Sequence, residues 1–282
     1  MNEFWNWWQH VPEHISPVLF QVGPVKVQYY GLMYIAAFAV TYMLVMVRLK
    51  REEDQTISTE QVQSLFTAMI IGLLVGARLG YVLFYNFSYY LHHPLEIVLP
   101  FDFSNGMTYT GIAGMSFHGG LIGIIVAVWL YIRKTKIDFF QAADLIVPAI
   151  PLGYTFGRIG NFINGELYGR ITLKPWGMYF PTAPTNALRH PSQLYEAFFE
   201  GIFLFGILWF LRKRVRTSGA MLALYLIGYG LVRFGIEFFR QPDAHLGFVM
   251  TGFSMGQVLC ALMILTGLIL FVFLRKRRAL TE

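Results

Sequence analysis

The sequence predicts an all-α fold, a polytopic transmembrane bundle of about seven helices. Three observations predict it. The chain of 282 residues is 56% hydrophobic and only 13% charged, about half the charged share of an ordinary soluble domain. Several stretches approach the roughly 20 apolar residues that a helix needs to cross a bilayer. Basic residues gather beside alternate apolar runs instead of spreading along the chain.

In chain order the apolar runs place spans at about 29–48, 64–85, 117–132, 139–160, 193–211, 219–238 and 253–274, all within one integral membrane domain covering residues 1–282. Gly119, Gly120, Pro148 and Pro151 interrupt the third and fourth. Membrane helices tolerate such residues where neighbours re-satisfy the backbone. Arg48, Lys50 and Arg51 end the first span, and Arg133, Lys134 and Lys136 the third. Arg212, Lys213, Arg214 and Arg216 end the fifth, and Arg275, Lys276, Arg277 and Arg278 the seventh. Fourteen of the 22 Lys and Arg therefore lie on one side. By the positive-inside rule that side is cytoplasmic, with the N-terminus outside and the C-terminus inside. On the outer side Trp5, Trp7 and Trp8 suit an interfacial aromatic belt. The outer side also has a loop at about 86–113 rich in Tyr, His and Pro, and a segment at about 169–190 that reads as a small cap over the spans.

The net charge of +6 is thus explained by topology, not by nucleic acid. A single cysteine, Cys260, excludes an internal disulfide and a Cys-based zinc site, and its apolar surroundings make it a small core residue. Residues 1–25 lack a basic n-region followed by an apolar stretch, so no cleavable leader is predicted. No HExxH, GxSxG or CxxC pattern is present, so neither a metal, a cofactor nor a serine nucleophile is expected. Nor does an internal repeat mark an inverted-repeat transporter.

Eight basic residues remain outside the cytoplasmic clusters: Lys26, Arg78, Arg158, Arg170, Lys174, Arg189, Arg233 and Arg240. A charge at the bilayer centre costs about 2.5–3.5 kcal/mol on insertion scales, so such residues need partners or ligands. Arg158, Arg170, Arg233 and Arg240 fall near the outer ends of spans 4 and 6. A bidentate guanidinium suits a phosphodiester at headgroup level. In GRIGNFINGELYGR (157–170), Arg158, Asn161 and Gly165 share a face if the helix continues, and the glycines permit close approach to a ligand. The competing reading is a glycine-rich helix stop with an internal Arg–Glu pair. Arg233 and Glu237 are four apart and Arg240 continues the stripe; a buried structural ion pair is the alternative here. His118 opens span 3 before two glycines, as a general base, a headgroup ligand or a simple interfacial hydrogen-bonder. In RHPSQLYE (189–196), Ser192 reads as a helix N-cap and Tyr195 as a belt residue. Arg78 is expected to pair with a carboxylate such as Asp144 or Glu166.

At these residues the chain resembles the bacterial phosphatidylglycerol–prolipoprotein diacylglyceryl transferase family. The resemblance covers essentially the whole chain. It is carried by YYGLMY (29–34), GARLGYVLFYN (76–86), FHGGLIG (117–123), GRIGNFINGELYGR, RHPSQLYE, LIGYGLVRFGIEFFRQPD (226–243) and SMGQ (254–257). GRIGNFINGE matches the family signature. The resemblance implies a seven-span bacterial inner-membrane enzyme with its active site toward the periplasm. It would move the diacylglyceryl group of phosphatidylglycerol to the lipobox cysteine of a prolipoprotein signal peptide. Carried over by motif, Arg158 binds the lipid phosphate, Arg233 stabilises the leaving phosphate with Glu237 orienting it, and His118 is the candidate base. Tyr30, Asn161, Glu166, Gly169, Tyr229 and Arg240 line the site. A lipid transporter or flippase using the same arginines is the rival reading, and it requires access from both leaflets. A scaffold with polar residues as internal glue is another, and it predicts tolerance of Arg158→Lys.

Overall fold

The structure, a computed structural model, describes residues 3–23, 25–51, 57–99, 101–102, 108–109, 114–241, 248–250 and 252–279. Parts of two sequence features lie outside them, namely much of the 86–113 segment and Pro242 and Asp243 of the last long motif. The order of elements is α1 (Glu3–His10), β1 (Val18–Val22), β2 (Val25–Gln28), α2 (Tyr29–Arg51), α3 (Thr59–Tyr85), α4 (Phe87–His92), β3 (Phe101–Asp102), β4 (Thr108–Tyr109), α5 (Phe117–Thr135), α6 (Phe139–Ile146), α7 (Ile150–Ile163), α8 (Ser192–Tyr195), α9 (Leu204–Leu211), α10 (Ala220–Ile236), β5 (Phe248–Met250), β6 (Phe253–Ser254) and α11 (Met255–Ala279). A 3₁₀ turn containing Pro148 joins α6 to α7, so Phe139–Ile163 is one helical run. A π-helix, Glu196–Phe203, joins α8 to α9 over Ser192–Leu211. Six helical runs are long and apolar enough to cross a membrane, and Ala220–Ile236 is a shorter apolar helix. These seven coincide with the seven apolar runs read from the sequence.

The chain forms two compact units, one of residues 1–20, 27–48 and 140–282, the other of residues 21–26 and 49–139.

The second unit is built on α3 and α5. Its glycines explain what interrupts the third span. Gly72, Gly76 and Gly80 recur every fourth residue on α3 and face Gly119 and Gly123 on α5. A Cβ on Gly76 would lie 2.7 Å from the Cα of Gly123, and one on Gly80 2.7 Å from the Cα of Gly119. Small residues let membrane helices approach to backbone contact. Ser58 and Gln61 form a capping box at the start of α3, and Ser116 caps α5 by accepting from the Gly119 amide. Arg78 does not follow the sequence expectation. It donates to the carbonyls of Ile97 (2.8 Å), Gly114 (3.2 Å) and Glu96, and stacks on Tyr90 at 5.0 Å. Asp144 and Glu166 are engaged elsewhere. Asp144 accepts from the amides of Gly219 (2.7 Å) and Leu222 (3.0 Å) at the start of α10, while Glu166 accepts from Asn161. These backbone carbonyls are partners that a spacing argument between side chains cannot see.

In the first unit, α10 and α11 pack through Gly230 and Gly267. A Cβ on Gly267 would sit 2.9 Å from the Ala223 carbonyl. Leu204, Leu208 and Met221 form a buried core against Tyr225 and Tyr229. Ile269 and Phe273 on α11 are more than half exposed, as a lipid-facing surface requires. The cap at 169–190 has its own core of Phe162, Met178 and Phe180, and Trp8 packs into it. Trp8 Nε1 donates to the Trp176 carbonyl (3.0 Å), and Gln9 Nε2 to that of Pro175 (2.9 Å). Trp8 thus packs, partly buried, against the cap's core, whereas Trp7 is 62% exposed.

Replacing Gly76 by Leu would force α3 from α5. Overpacking of this kind costs about 1–3 kcal/mol or more. We expect a clearly lowered thermal midpoint in detergent for Gly76→Leu and an unchanged one for Val75→Leu, whose side chain is half exposed on the same helix.

Candidate active site

The first unit carries buried charge. Arg158 projects from α7, Glu196 and Glu200 from the π-helix, Arg233 from α10, and Glu237 from the residue that ends α10. Glu196 and Glu200 have no exposed surface, and Arg233 and Glu237 are also buried.

One oxygen joins the two arginines. Glu196 Oε2 lies 2.8 Å from Arg158 Nε and 3.0 Å from Arg233 Nη1. Arg233 Nη1 also meets Glu200 Oε1 at 3.3 Å, and its Nη2 meets Glu237 Oε2 at 3.1 Å. Tyr154 closes the ring. Its hydroxyl donates to Glu200 Oε2 at 2.6 Å and accepts from Arg158 Nε at 2.6 Å. The Arg158 guanidinium lies 4.7 Å from the Tyr154 ring centre, and Tyr229 meets that ring edge-on at 5.9 Å. Among the described residues two arginines thus face three carboxylates in an apolar bundle. Ionised groups can be buried there only as such a mutually paired set.

Glu237 is itself positioned. Ser254 Oγ donates to Glu237 Oε1 at 3.0 Å. Ser254 and Gln257 form a capping pair at the start of α11: the Ser254 amide donates to Gln257 Oε1 (3.0 Å) and the Gln257 amide to Ser254 Oγ (3.2 Å). A Cβ on Gly256 would lie 2.7 Å from Glu237 Oε1, so only glycine leaves room for the carboxylate at this helix N-terminus. The dipole there favours a negative charge.

Arg158 differs from Arg233. Its Nη1 donates to Asn161 Oδ1 at 3.1 Å and its Nε is shared between Glu196 and Tyr154. Among the described residues no acceptor meets its Nη2. Its side chain keeps 16% of its exposure, so the positive edge of the set is open at Arg158.

Asn161 in turn donates to Glu166 Oε1 at 2.7 Å. Gln193 Nε2 holds the Glu166 carbonyl at 2.7 Å. Tyr30 packs on Gly160, where a Cβ would lie 3.0 Å from its ring, and its hydroxyl meets that of Tyr34 at 3.2 Å. The helix does not continue to Gly165, as a shared face with Arg158 would need. It ends at Ile163, and Gly165 turns with φ +67°, the left-handed stop that glycine favours. Gly169 lies in the cap and not on the ring of charges. Its amide donates to the His190 carbonyl (2.8 Å), and it bridges to Arg240 where a side chain would strike Phe239 and His190. The Arg240 carbonyl accepts from Arg170 Nε at 2.9 Å. Ser192 is not an N-cap. Its hydroxyl donates to the Leu167 carbonyl (3.0 Å), and Pro191 occupies the cap position. Tyr195 is a partner of His190, hydroxyl to Nδ1 at 3.1 Å, as well as an interfacial ring. Burial, and then the Lys174 ammonium, lower the pKa of the His190 imidazole. His118, exposed on the first turn of α5, belongs to the second unit.

The structure therefore brings Arg158, Asn161, Glu166, Tyr229, Arg233 and Glu237 together. It adds Tyr154, Glu196, Glu200, Gln193 and Ser254, which the sequence reading missed. The signal available for the two glutamates was their position. Both carboxylates lie within the apolar run 193–211, where burial without a partner is prohibitive.

A sequence model of the prolipoprotein diacylglyceryl transferase family matches residues 17–273. The chain belongs to this family. A relative from Chlorobaculum tepidum, a phosphatidylglycerol–prolipoprotein diacylglyceryl transferase, is 55% identical over 98% of this chain and 96% of its own length. Relatives of the same name from Idiomarina loihiensis (48% identical, 98% of this chain and 97% of the relative) and Bordetella avium (46%, 93% and 96%) are also similar. The family and the apolar helices together make the chain a multi-pass membrane protein, with the buried charges as its candidate active site.

Removing Arg233 would leave three buried carboxylates without their common partner. Breaking a buried pair costs about 3–5 kcal/mol. Arg233→Ala should lower the thermal midpoint sharply. Ser254→Ala, which removes one hydrogen bond to Glu237, should cost about 1.5–3 kcal/mol or less, the range for a bond to a charged group. Equal thermal midpoints for the two variants would contradict the central place given to Arg233.

Proposed function

We propose that the chain transfers the diacylglyceryl group of phosphatidylglycerol to the thiol of a lipobox cysteine in prolipoprotein signal peptides, the first step of lipoprotein maturation. The thiol sulfur forms a bond to the glycerol carbon that carried the phosphate. The carbon–oxygen bond to the phosphate breaks, its electron pair leaves on glycerol phosphate, and the thiol proton passes to a base. The names of the relatives supply the substrates. The observation that carries the reading is Arg158, whose Nη2 is unmatched at the exposed edge of an otherwise paired set of charges.

In this reading Arg158 binds the phosphate of the lipid, held in place by Asn161 and Glu196. Arg233 stabilises the charge on the departing phosphate, with Glu237 orienting it. Such preorganised charge in a water-poor site is the usual source of catalysis. His118 is the candidate base for a thiol whose ordinary pKa of about 8.5 leaves it mostly protonated at neutral pH. Tyr30, Glu166 and Tyr229 complete the surroundings, while Gly169 and Arg240 act from the cap, where they bridge to each other. The protein crosses the bacterial cytoplasmic membrane seven times, its basic loops inside and its active site toward the periplasm. Both substrates enter sideways from the bilayer, and holding them together supplies the entropic part of the rate.

The test uses purified protein, phosphatidylglycerol and a lipobox peptide. We expect glycerol phosphate release matched by a diacylglyceryl mass gain on the peptide. Both should vanish with a Cys-to-Ser peptide and fall about 100-fold or more with Arg158→Ala, as for loss of a charge-stabilising group. Folded wild type that binds the lipid and forms no thioether would instead favour lipid transport.

A further inference from the structure

The helix that carries Glu196 and Glu200 is not an ordinary α-helix. From Glu196 to Phe203 it is wound as a π-helix, and the Leu204 amide still reaches the Phe199 carbonyl, five residues back. π-Turns are rare and concentrate at functional sites. Periodicity in the sequence gives no sign of this one, and no proline is present in Ser192–Leu211 to force it. A neighbouring side chain reaches into it. Thr155 on α7 is buried, and its Oγ1 donates to the Ala197 carbonyl at 3.2 Å, sharing the proton with Pro151 O at 3.3 Å within its own helix. Insertion of a side chain into the backbone ladder is a recognised origin of helix distortion. One turn on, Gly201 presents bare backbone to the same threonine. A Cβ there would lie 3.0 Å from Thr155 Cβ and 3.2 Å from its Cα.

We propose that Thr155, seated against Gly201, is a positioning residue that latches the π-turn and so sets Glu196 and Glu200 against Arg233. Resting on the transferase reading above, the proposal assigns a catalytic consequence to a hydroxyl that touches neither substrate. The two carboxylates flank the latched carbonyl, one residue before it and three after. Both reach Arg233 Nη1, at 3.0 and 3.3 Å. Relaxation of the segment to α-helical winding would change the rotation per residue and displace one carboxylate relative to the other. Arg233 would then lose the geometry in which it meets the departing phosphate.

The experiment compares full-length wild type with Thr155→Val, which keeps the shape and loses the hydroxyl, and with Thr155→Ser, which keeps the hydroxyl. Hydrogen exchange of residues 196–203 and steady-state transfer from phosphatidylglycerol to a lipobox peptide are both measured. In Thr155→Val, exchange should quicken about tenfold, the equivalent of about 1.4 kcal/mol, and kcat should fall about 10- to 100-fold. The KM for phosphatidylglycerol should stay within about threefold, and Thr155→Ser should restore both readouts. Gly201→Ala, which pushes the two helices apart with the hydroxyl intact, should reproduce the Thr155→Val pattern and stands in for it if that variant does not fold. Unchanged exchange in the folded variants overturns the latch. Faster exchange with unchanged kcat overturns its positioning role, and failure of Thr155→Ser to restore either readout overturns the part given to the hydroxyl. If wild type itself makes no thioether, the transferase reading falls, and the exchange data still decide whether the latch exists.

Discussion

The pairing of two arginines with three glutamates inside an apolar helical bundle is the constraint on which the first unit depends. None of these groups can be buried alone, since each would carry a desolvation cost of several kcal/mol. Together they fix where four elements meet. Arg158 brings α7, Glu196 and Glu200 bring the π-helix, Arg233 brings α10, and Glu237 is held at the N-terminus of α11 by Ser254. Helices in a membrane gain little from apolar contact with one another, because lipid is as apolar as leucine. A shared set of charges therefore has more influence over their arrangement than it would in a water-soluble core. The second unit solves the same problem without charge, by letting Gly72, Gly76 and Gly80 meet Gly119 and Gly123 at backbone distance.

The apolar helices were legible in the sequence because long apolar runs leave few other interpretations, and the pairing of Arg233 with Glu237 because it is local, four residues apart. The contact of Arg158 with Asn161 was legible for the same reason. Glu196 and Glu200 were not read, since their partners lie 33 to 46 residues away along the chain and no local pattern couples them. The backbone carbonyls that meet Arg78 were missed because every residue possesses one. A face extended to Gly165 failed at the glycine that stops the helix, and Ser192 proved to serve the Leu167 carbonyl instead of its own helix. The π-turn was out of reach in principle, since the threonine that reaches into it lies on a different helix.

The arrangement also separates two tasks that a sequence reading assigns to arginines alike. Arg233 is enclosed by carboxylates on both amino groups and is fixed before any substrate arrives. Arg158 shares Glu196 with it yet keeps one amino group unmatched and a tenth to a fifth of its side chain exposed. A surplus of carboxylates behind an open guanidinium holds the positive edge rigid, so that little ordering entropy remains to be lost when an anion binds.

The most direct test is the affinity for phosphatidylglycerol itself, measured in detergent micelles for wild type and for Arg158→Gln with folding checked by thermal melting. Loss of a charge-assisted pair to phosphate is worth about 1.5–3 kcal/mol, so the account predicts binding weakened by about 10-fold to 100-fold in a folded Arg158→Gln. Undiminished binding by that folded variant would contradict it and place the lipid phosphate elsewhere.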